Sequence, residues 1–547
     1  MAEFEPVMAL EALQAKGKAV ARRAGRQILL VASEGRVFAC ANRCPHEGYP
    51  LSEGVLSNGA GRPCVLTCNW HNWKFDLSSG ETLVGGDTLE RFPVRIEGGQ
   101  VLVDLTPPPL EDRRAKVRAG LAQALADEDQ DRLVREAARL SRLEGDAVGA
   151  VALAIDWGAA RLEFGTTHAI GGASEWLAVH DERGRRPEER LAAIGEILGN
   201  VADNCRGAPP AWPFAAGEAP WSEAAFLAAI EAEDEPAAVR LVRGFLPPLG
   251  EVSPRTRSGA TKGASAAPAD LAGALYAAAL AHYQDFGHSL IYAVNTVRLV
   301  ERLGPGVAEP LLLMLARSLV YARREDLLPE FRDYARRLAA YGERPGGKPP
   351  PLSADALSGR STRQSLALVS SWGGLHSPQA IFETLVEAAA RVLLTANERR
   401  MTATAGKIAD NVGWLDFTHS LTFANAGRVA MAARPDLAPA VLLQLACFQG
   451  RNAAYVDPAF DPPPFAVDDR RAFASRARER LFDHGEADFI MSVHYVKTLL
   501  AAEQLAEALP RAAPTLLAAV NRFLFAPKKR RDVLRTARQM RAFVAAE

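Results

Sequence analysis

A chain of 547 residues has the mass of about three to four domains, or of fewer large ones. Its 48% hydrophobic and 24% charged residues are ordinary globular values and exclude wholesale disorder. The 64 Lys and Arg balance 65 Asp and Glu, for a formal charge of −1, which gives no electrostatic reason to expect a nucleic-acid or anionic-membrane partner. Six cysteines are too few for a disulfide scaffold. The acidic start, Met1 to Glu5, lacks the basic stretch and apolar run of a secretory signal. The most apolar stretch, Pro310 to Val320, is broken by Arg317. A soluble, cytoplasmic protein is expected.

In chain order, the first elements are strands. Residues 27–31, 37–41, 65–68, 92–96 and 100–105 are short β-branched or alternating runs, mostly parted by Gly-containing turns. Thr106-Pro107-Pro108-Pro109 then ends strand structure, because proline cannot donate to a ladder. From Leu110 the chain is rich in Ala, Leu, Arg and Glu, with apolar residues at helical spacing. The expected architecture is multidomain. A small all-β domain (1–105) and a Pro-rich linker (106–112) precede a large all-α domain (113–547). Residues 246–270 and 344–359, crowded with Pro, Gly, Ser and Ala, read as loops, either insertions or lids.

The strongest chemical signal lies in the β domain. Cys44-Pro45-His46 is followed after 21 residues by Cys68-Asn69-Trp70-His71. Thiolates and imidazoles are the ligands that soft metals select, and zinc fits two of each on ligand count alone. The spacing places one Cys and one His on each of two loops. A [2Fe-2S] cluster can then take two thiolates on one iron and two imidazoles on the other.

Cys44-Pro-His-Glu-Gly-Tyr-Pro-Leu51 and Cys68-Asn-Trp-His-Asn-Trp-Lys-Phe-Asp76, with the turn Leu77-Ser-Ser-Gly80, closely resemble the two cluster loops of the Rieske ferredoxin family. The resemblance covers about the first 105 residues. It implies a [2Fe-2S] cofactor held by Cys44, His46, Cys68 and His71, and one-electron transfer. Two departures stand out. The interval between the loops is longer than usual, suggesting an insertion around Ser57 to Pro63. Tyr49 and Trp70 stand where the respiratory-complex branch has a cysteine pair stapling the loops, which implies the soluble electron-carrier branch. Cys40 and Cys64 each lie four residues before a ligand cysteine and are expected as buried free thiols. Cys205 and Cys447 read as core residues. Trp70 and Trp73 suit shielding of the cluster or docking of a partner.

The helical region carries a pattern built around histidine. Asp285-Phe-Gly-His288-Ser-Leu290 and Asp416-Phe-Thr-His419-Ser-Leu421 share five of six residues. After each histidine come an apolar helix, a break, a proline (Pro310, Pro439) and another apolar helix. His168 with Pro187, and His494 with Pro514, follow the same plan. Four related helical hairpins are expected, each with a histidine near the start of a helix. Stacked units of one kind can turn equivalent positions toward a shared interior. Asp and His three apart share a helical face. Asp285 with His288, and Asp416 with His419, are therefore candidate metal ligands, and His282 can join or support the same site. His168, His494 and the loop histidine His376 complete the candidate set. Histidines and carboxylates with open positions suit ferrous iron and dioxygen, in a mono- or dinuclear centre. The bland alternatives are core histidines, helix caps and shared ancestry without function. His180 and His484, among charged residues, are expected in solvent. The basic stripe of Lys528 to Arg531, Arg535 and Arg538 reads as a solvated helix face, or else as a dock for an acidic partner.

The helical hairpins also resemble the questin-oxidase-like proteins, on short His-centred helices such as His288-Ser-Leu-Ile-Tyr292. That resemblance implies oxidation of an aromatic or polyketide-like substrate. The ring-attacking Rieske oxygenases do not fit beyond residue 105. Their iron motif is Asp-x-x-His-x-x-x-x-His, and Ala293 and Ala424 occupy the place of its second histidine. No Gly-rich dinucleotide fingerprint is present, so an external reductase of flavin or ferredoxin type is expected. The function expected is an oxidoreductase in which the cluster feeds single electrons to a histidine/carboxylate iron site. That site would oxidise a small organic substrate with dioxygen, in a possible homo-oligomer. One alternative is a non-catalytic electron-transfer or redox-sensing protein with a helical interaction scaffold. A hydrolase or isomerase with a structural cluster is a third.

Overall fold

Apolar side chains fill both faces of the run Arg26–Ser33, and this makes it the central strand of the N-terminal domain. Ile28 and Leu30 enter one core with Leu13, Ala39, Phe92, Val101 and Val103. Leu29 and Val31 point the opposite way, as strand geometry requires, into a second core that includes Cys44 and Cys68. The computed structural model describes residues 4–59, 62–246, 269–281, 287–322, 331–343, 351–528 and 533–547.

The β domain opens with β1 (Phe4–Ala9), a short helix α1 (Leu10–Lys16), β2 (Lys18–Arg23), β3 (Arg26–Ser33) and β4 (Arg36–Ala41). Next come β5 (Val55–Gly59), β6 (Arg62–Thr67), β7 (Lys74–Asp76) and β8 (Thr82–Val84). β9 (Arg91–Phe92), β10 (Val94–Glu97) and β11 (Gln100–Asp104) close it. Three antiparallel sheets result, in the orders β1-β11-β10, β2-β3-β4-β9 and β5-β6-β7-β8. The strands not expected from the sequence are edge or very short ones. β2, Lys-Ala-Val-Ala-Arg-Arg, carries the charge that edge strands use against aggregation and so lacks an apolar signal. β5 and β6 form a hairpin at the expected insertion.

Helix begins at Leu110, within the stretch read as a linker, with Pro109 supplying the first carbonyl of α2 (Leu110–Asp127). The chain divides into two compact units between Ala124 and Leu125. In the second unit, α3 (Gln130–Glu144) and α4 (Val148–Ala159) precede α5 (His168–Gly171), α6 (Ala173–Asp181) and α7 (Pro187–Asn204). α8 (Glu223–Glu231), α9 (Glu235–Phe245) and α10 (Ala269–Ala281) lead to α11 (His288–Leu303) and α12 (Ala308–Val320). α13 (Tyr334–Ala339), α14 (Thr362–Gly373), α15 (Pro378–Leu394) and α16 (Glu398–Thr402) follow. Then come α17 (Trp414–Ala433), α18 (Ala438–Asn452), α19 (Arg470–Phe482), α20 (Phe489–Ala508), α21 (Ala513–Phe525) and α22 (Val533–Val544). No helix of the described residues is long and apolar enough to cross a membrane.

Four of these helices close a ring: α5 packs on α11, α11 on α17, α17 on α20, and α20 back on α5 and α6. α12, α18, α21 and α7 pack on α11, α17, α20 and α5 respectively. In two hairpins the break is a single 3-10 turn opened by proline, at Pro305 and Pro435. Of the loops expected at 246–270 and 344–359, residues 247–268 and 344–350 lie outside the described residues, and Ala269 already begins α10.

Candidate functional site

The two cysteine loops of the N-terminal domain are built alike. The amide N–H of Cys44 donates to the Tyr49 carbonyl at 2.8 Å, and that of Cys68 donates to the Trp73 carbonyl at the same distance. Gly48 and Asn72, each four residues on, return a bond to the cysteine carbonyl and occupy the left-handed region at φ 78° and 60°. Each loop is therefore a closed turn that aims Cys inward and His outward. The thiols of Cys44 and Cys68 are buried and hydrogen-bonded to each other, and burial above all pushes Cys44 up to about 11. The half-exposed rings of His46 and His71 meet edge to face, 4.6 Å between centroids. A buried thiol pair facing an exposed imidazole pair fits a [2Fe-2S] cluster, whose charge would draw off the thiol protons.

Aromatic side chains hold this arrangement. Trp73 stacks on His46 at 4.7 Å, and Gly85 leaves room for the indole, since a Cβ there would lie 2.3 Å from it. Tyr49 and Trp70 stack at 5.7 Å with planes 13° apart, tying one loop to the other. The Trp70 indole N–H donates to Glu47 at 3.0 Å. Cys40 and Cys64 are buried free thiols, as expected, and burial with the nearby Cys64 pushes Cys40 up to about 12.

In the helical unit, four of the candidate histidines meet inside the helix ring. The Nε2 atoms of His168 and His288 are 3.0 Å apart, those of His288 and His419 2.8 Å, and those of His419 and His494 3.2 Å. Each histidine lies in the first two turns of its helix. Close helix approach makes this possible. A Cβ on Gly172 would lie 2.0 Å from Val493, and one on Gly171 2.5 Å from the Tyr292 ring. Gly287, at φ 70°, starts α11 against Phe423.

The tautomers of two rings follow from their partners. His419 Nδ1 lies 2.6 Å from the Leu415 carbonyl, and His494 Nδ1 2.5 Å from that of Ile490. A carbonyl only accepts, so both Nδ1 atoms carry the proton and both Nε2 atoms present lone pairs. Those lone pairs face each other across 3.2 Å. A second proton is disfavoured there. Burial first, and then the charge of Lys497, hold His168 and His494 well below the ordinary histidine range and His419 at about 3. Tyr292 Oη stands 3.2 Å from His168 Nδ1.

Not every candidate joins this cluster. Asp416 turns back to cap its own helix, accepting from the Gly413 amide at 2.7 Å, and burial raises its pKa. It is a cap because a carboxylate in the first turn finds free backbone amides nearer than the ring interior. His376 stands in the loop between α14 and α15, outside the imidazole group. His282 and Asp285 lie outside the described residues. Among the described residues the cluster is imidazole without carboxylate. His180 and His484, expected in solvent, are instead largely buried, and each is paired with an acid: Asp181 at 2.8 Å and Glu196 at 3.3 Å. Lys528 is no solvated stripe either; it is part-buried over the rings of Trp414, Tyr495 and Phe523.

Sequence reading overlooked Lys497. It is 1% exposed, one turn beyond His494, and its Nζ has no hydrogen-bond partner among the described residues. Its signal was only a lysine at a core position of an apolar helix.

Residues 3–89 match the family model described as Rieske [2Fe-2S] domain. The chain is 37% identical over 86 residues to the alkene monooxygenase system ferredoxin component of Xanthobacter autotrophicus, covering 16% of this chain and 67% of that protein. It is 33% identical over 84 residues to the naphthalene 1,2-dioxygenase system ferredoxin component of Pseudomonas aeruginosa, covering 15% and 76% respectively. Apoptosis-inducing factor 3 of Homo sapiens is 41% identical over 96 residues. That match takes in 17% of this chain, which spans only 15% of that protein's length.

Proposed function

We propose, from the premise that the chain belongs to the Rieske [2Fe-2S] family through its N-terminal domain, that it is an oxidoreductase whose cluster feeds electrons to iron held by His168, His288, His419 and His494. The reaction proposed is dioxygen-dependent oxidation of a small organic substrate, of aromatic or polyketide-like class. One observation carries the reading: two neutral imidazoles, with tautomers set by backbone carbonyls, aim lone pairs at each other in a buried ring of four. Uncompensated, that contact is repulsive, and a metal cation resolves it. Bonds of about 2.0–2.1 Å from one ion to several imidazole nitrogens separate those nitrogens by about 3 Å, which is the spacing found. Iron held by imidazoles, with positions left open, supplies dioxygen activation.

The protein's own part is to fix the four rings, keep them unprotonated and exclude water. Leu415 and Ile490 orient two rings through their carbonyls, and Tyr292 braces a third. A cavity of about 590 Å³ is a candidate substrate pocket, of the size such pockets have. Its wall runs from the start of α14 to Asp416, one turn before His419, and includes Arg360, Arg451 and Tyr455. Electrons would reach the cluster from an external reductase, and a homo-oligomer is compatible with that route.

Metal analysis of the full-length protein tests this. Beyond the two irons of the cluster, a further iron is expected, lost from His419→Ala/His494→Ala while the cluster spectrum persists. Equal iron in both proteins overturns the proposal and leaves an electron-transfer protein with a helical scaffold. Substrate-dependent oxygen uptake with a reductase then tests the reaction.

A further inference from the structure

Behind the imidazoles, the inner helices enclose a second, smaller space. A cavity of about 20 Å³ is lined by Glu175 of α6, Asn295 and Arg298 of α11, Thr422 and Asn425 of α17, and Lys497 and Gln504 of α20, among others. Its volume exceeds the roughly 10–15 Å³ that one water needs, so it takes one species of about that size. Most of the polar wall is already tied up. Asn295 donates to Glu175 and to the Gly171 carbonyl, both at 2.7 Å. Asn425 and Arg298 donate to Gln504 at 2.9 and 3.3 Å. The second oxygen of Glu175 accepts from Ser174.

Lys497 is the exception. Its ammonium is buried and lacks a hydrogen-bond partner among the described residues, although Glu175 is near enough to act on it through space. An unpaired buried ammonium is costly, and such groups persist where something compensates them. The cavity wall carries two cations, Lys497 and Arg298, against the one carboxylate of Glu175, whose oxygens are already engaged.

We propose that this cavity is a binding site for a small monovalent anion of one or two heavy atoms, held by Lys497 beside the four imidazoles. At neutral pH the ammonium, with its proton affinity lowered by burial to about 8, remains charged. The anion completes the ion pair that the protein chain leaves open. The site does not depend on the metal reading.

Chloride is the probe, with bromide for its anomalous scattering. The full-length protein, its metal content measured on the same sample, is melted in increasing chloride against gluconate at equal ionic strength. Wild type is expected to gain about tenfold in folding equilibrium for each tenfold of chloride above Kd. Lys497→Met is expected to lose this response and Arg298→Gln to weaken it. Bromide-soaked crystals should show an anomalous peak beside Lys497 Nζ. Equal chloride responses in wild type and Lys497→Met, or an empty bromide map at the cavity, would mean that it holds water, and would overturn the inference. Metal content reports separately on the iron proposal, so the two can fail independently.

Discussion

Replacing Lys497 with methionine should stabilise the protein. The side chain is 1% exposed, and burial lowers its pKa from 10.5 to about 8. A shift of that size is worth about 3 kcal/mol against the folded state at neutral pH. The sign follows from proton counting. Between pH 8 and 10.5 the unfolded chain holds a proton that the folded chain has released, so stability rises with pH across that window. Below pH 8 both states are protonated and the whole penalty stands. Methionine is unbranched like lysine, one heavy atom shorter, and carries no charge. Urea unfolding in low-chloride buffer at pH 7 should therefore show Lys497→Met more stable by about 2–3 kcal/mol. By pH 10 the gap between variant and wild type should have narrowed to less than half, because the wild-type amine is then mostly neutral when folded. A variant no more stable at pH 7, or a gap unchanged at pH 10, would refute the reasoning. A stabilising substitution at a buried lysine is also what a functional residue gives, since such groups are kept at a cost in stability.

Other outcomes follow from the same geometry. Trp70→Ala removes the stack on Tyr49 that ties the two cluster loops; a loss of about 0.5–1.5 kcal/mol of loop coupling should show as faster bleaching of the cluster absorbance under chelator. Gly172→Ala places a methyl group 2.0 Å from Val493. It should cost about 1–3 kcal/mol in thermal unfolding and lower iron beyond the cluster, because α5 must retreat from α20. Cys40→Ala and Cys64→Ala should keep the cluster iron at wild-type stoichiometry, since both thiols are buried and lie outside the ligand loops.

The sequence alone determined the Rieske domain and its two Cys-His loops. Cys44, His46, Cys68 and His71 fall within 28 residues, on two loops whose turns are closed by local hydrogen bonds, so spacing in the chain is nearly spacing in space. It also determined the change from strand to helix, because periodicity and proline are local signals. The same reading singled out the four histidines that the helices bring together. It failed at Asp416, where chain neighbourhood to His419 suggested a shared target. The free amides of the first helical turn captured that carboxylate instead. Only the tertiary structure decided that the four rings converge, that their lone pairs oppose, and that Lys497 lies unpaired beside them. Each of these depends on helices far apart in the chain coming into contact: those of His494 and His419 lie 75 residues apart, and the glycines at 171, 172 and 287 let the segments of His168 and His288 approach their neighbours. No local pattern in the chain encodes a contact of that range; packing does.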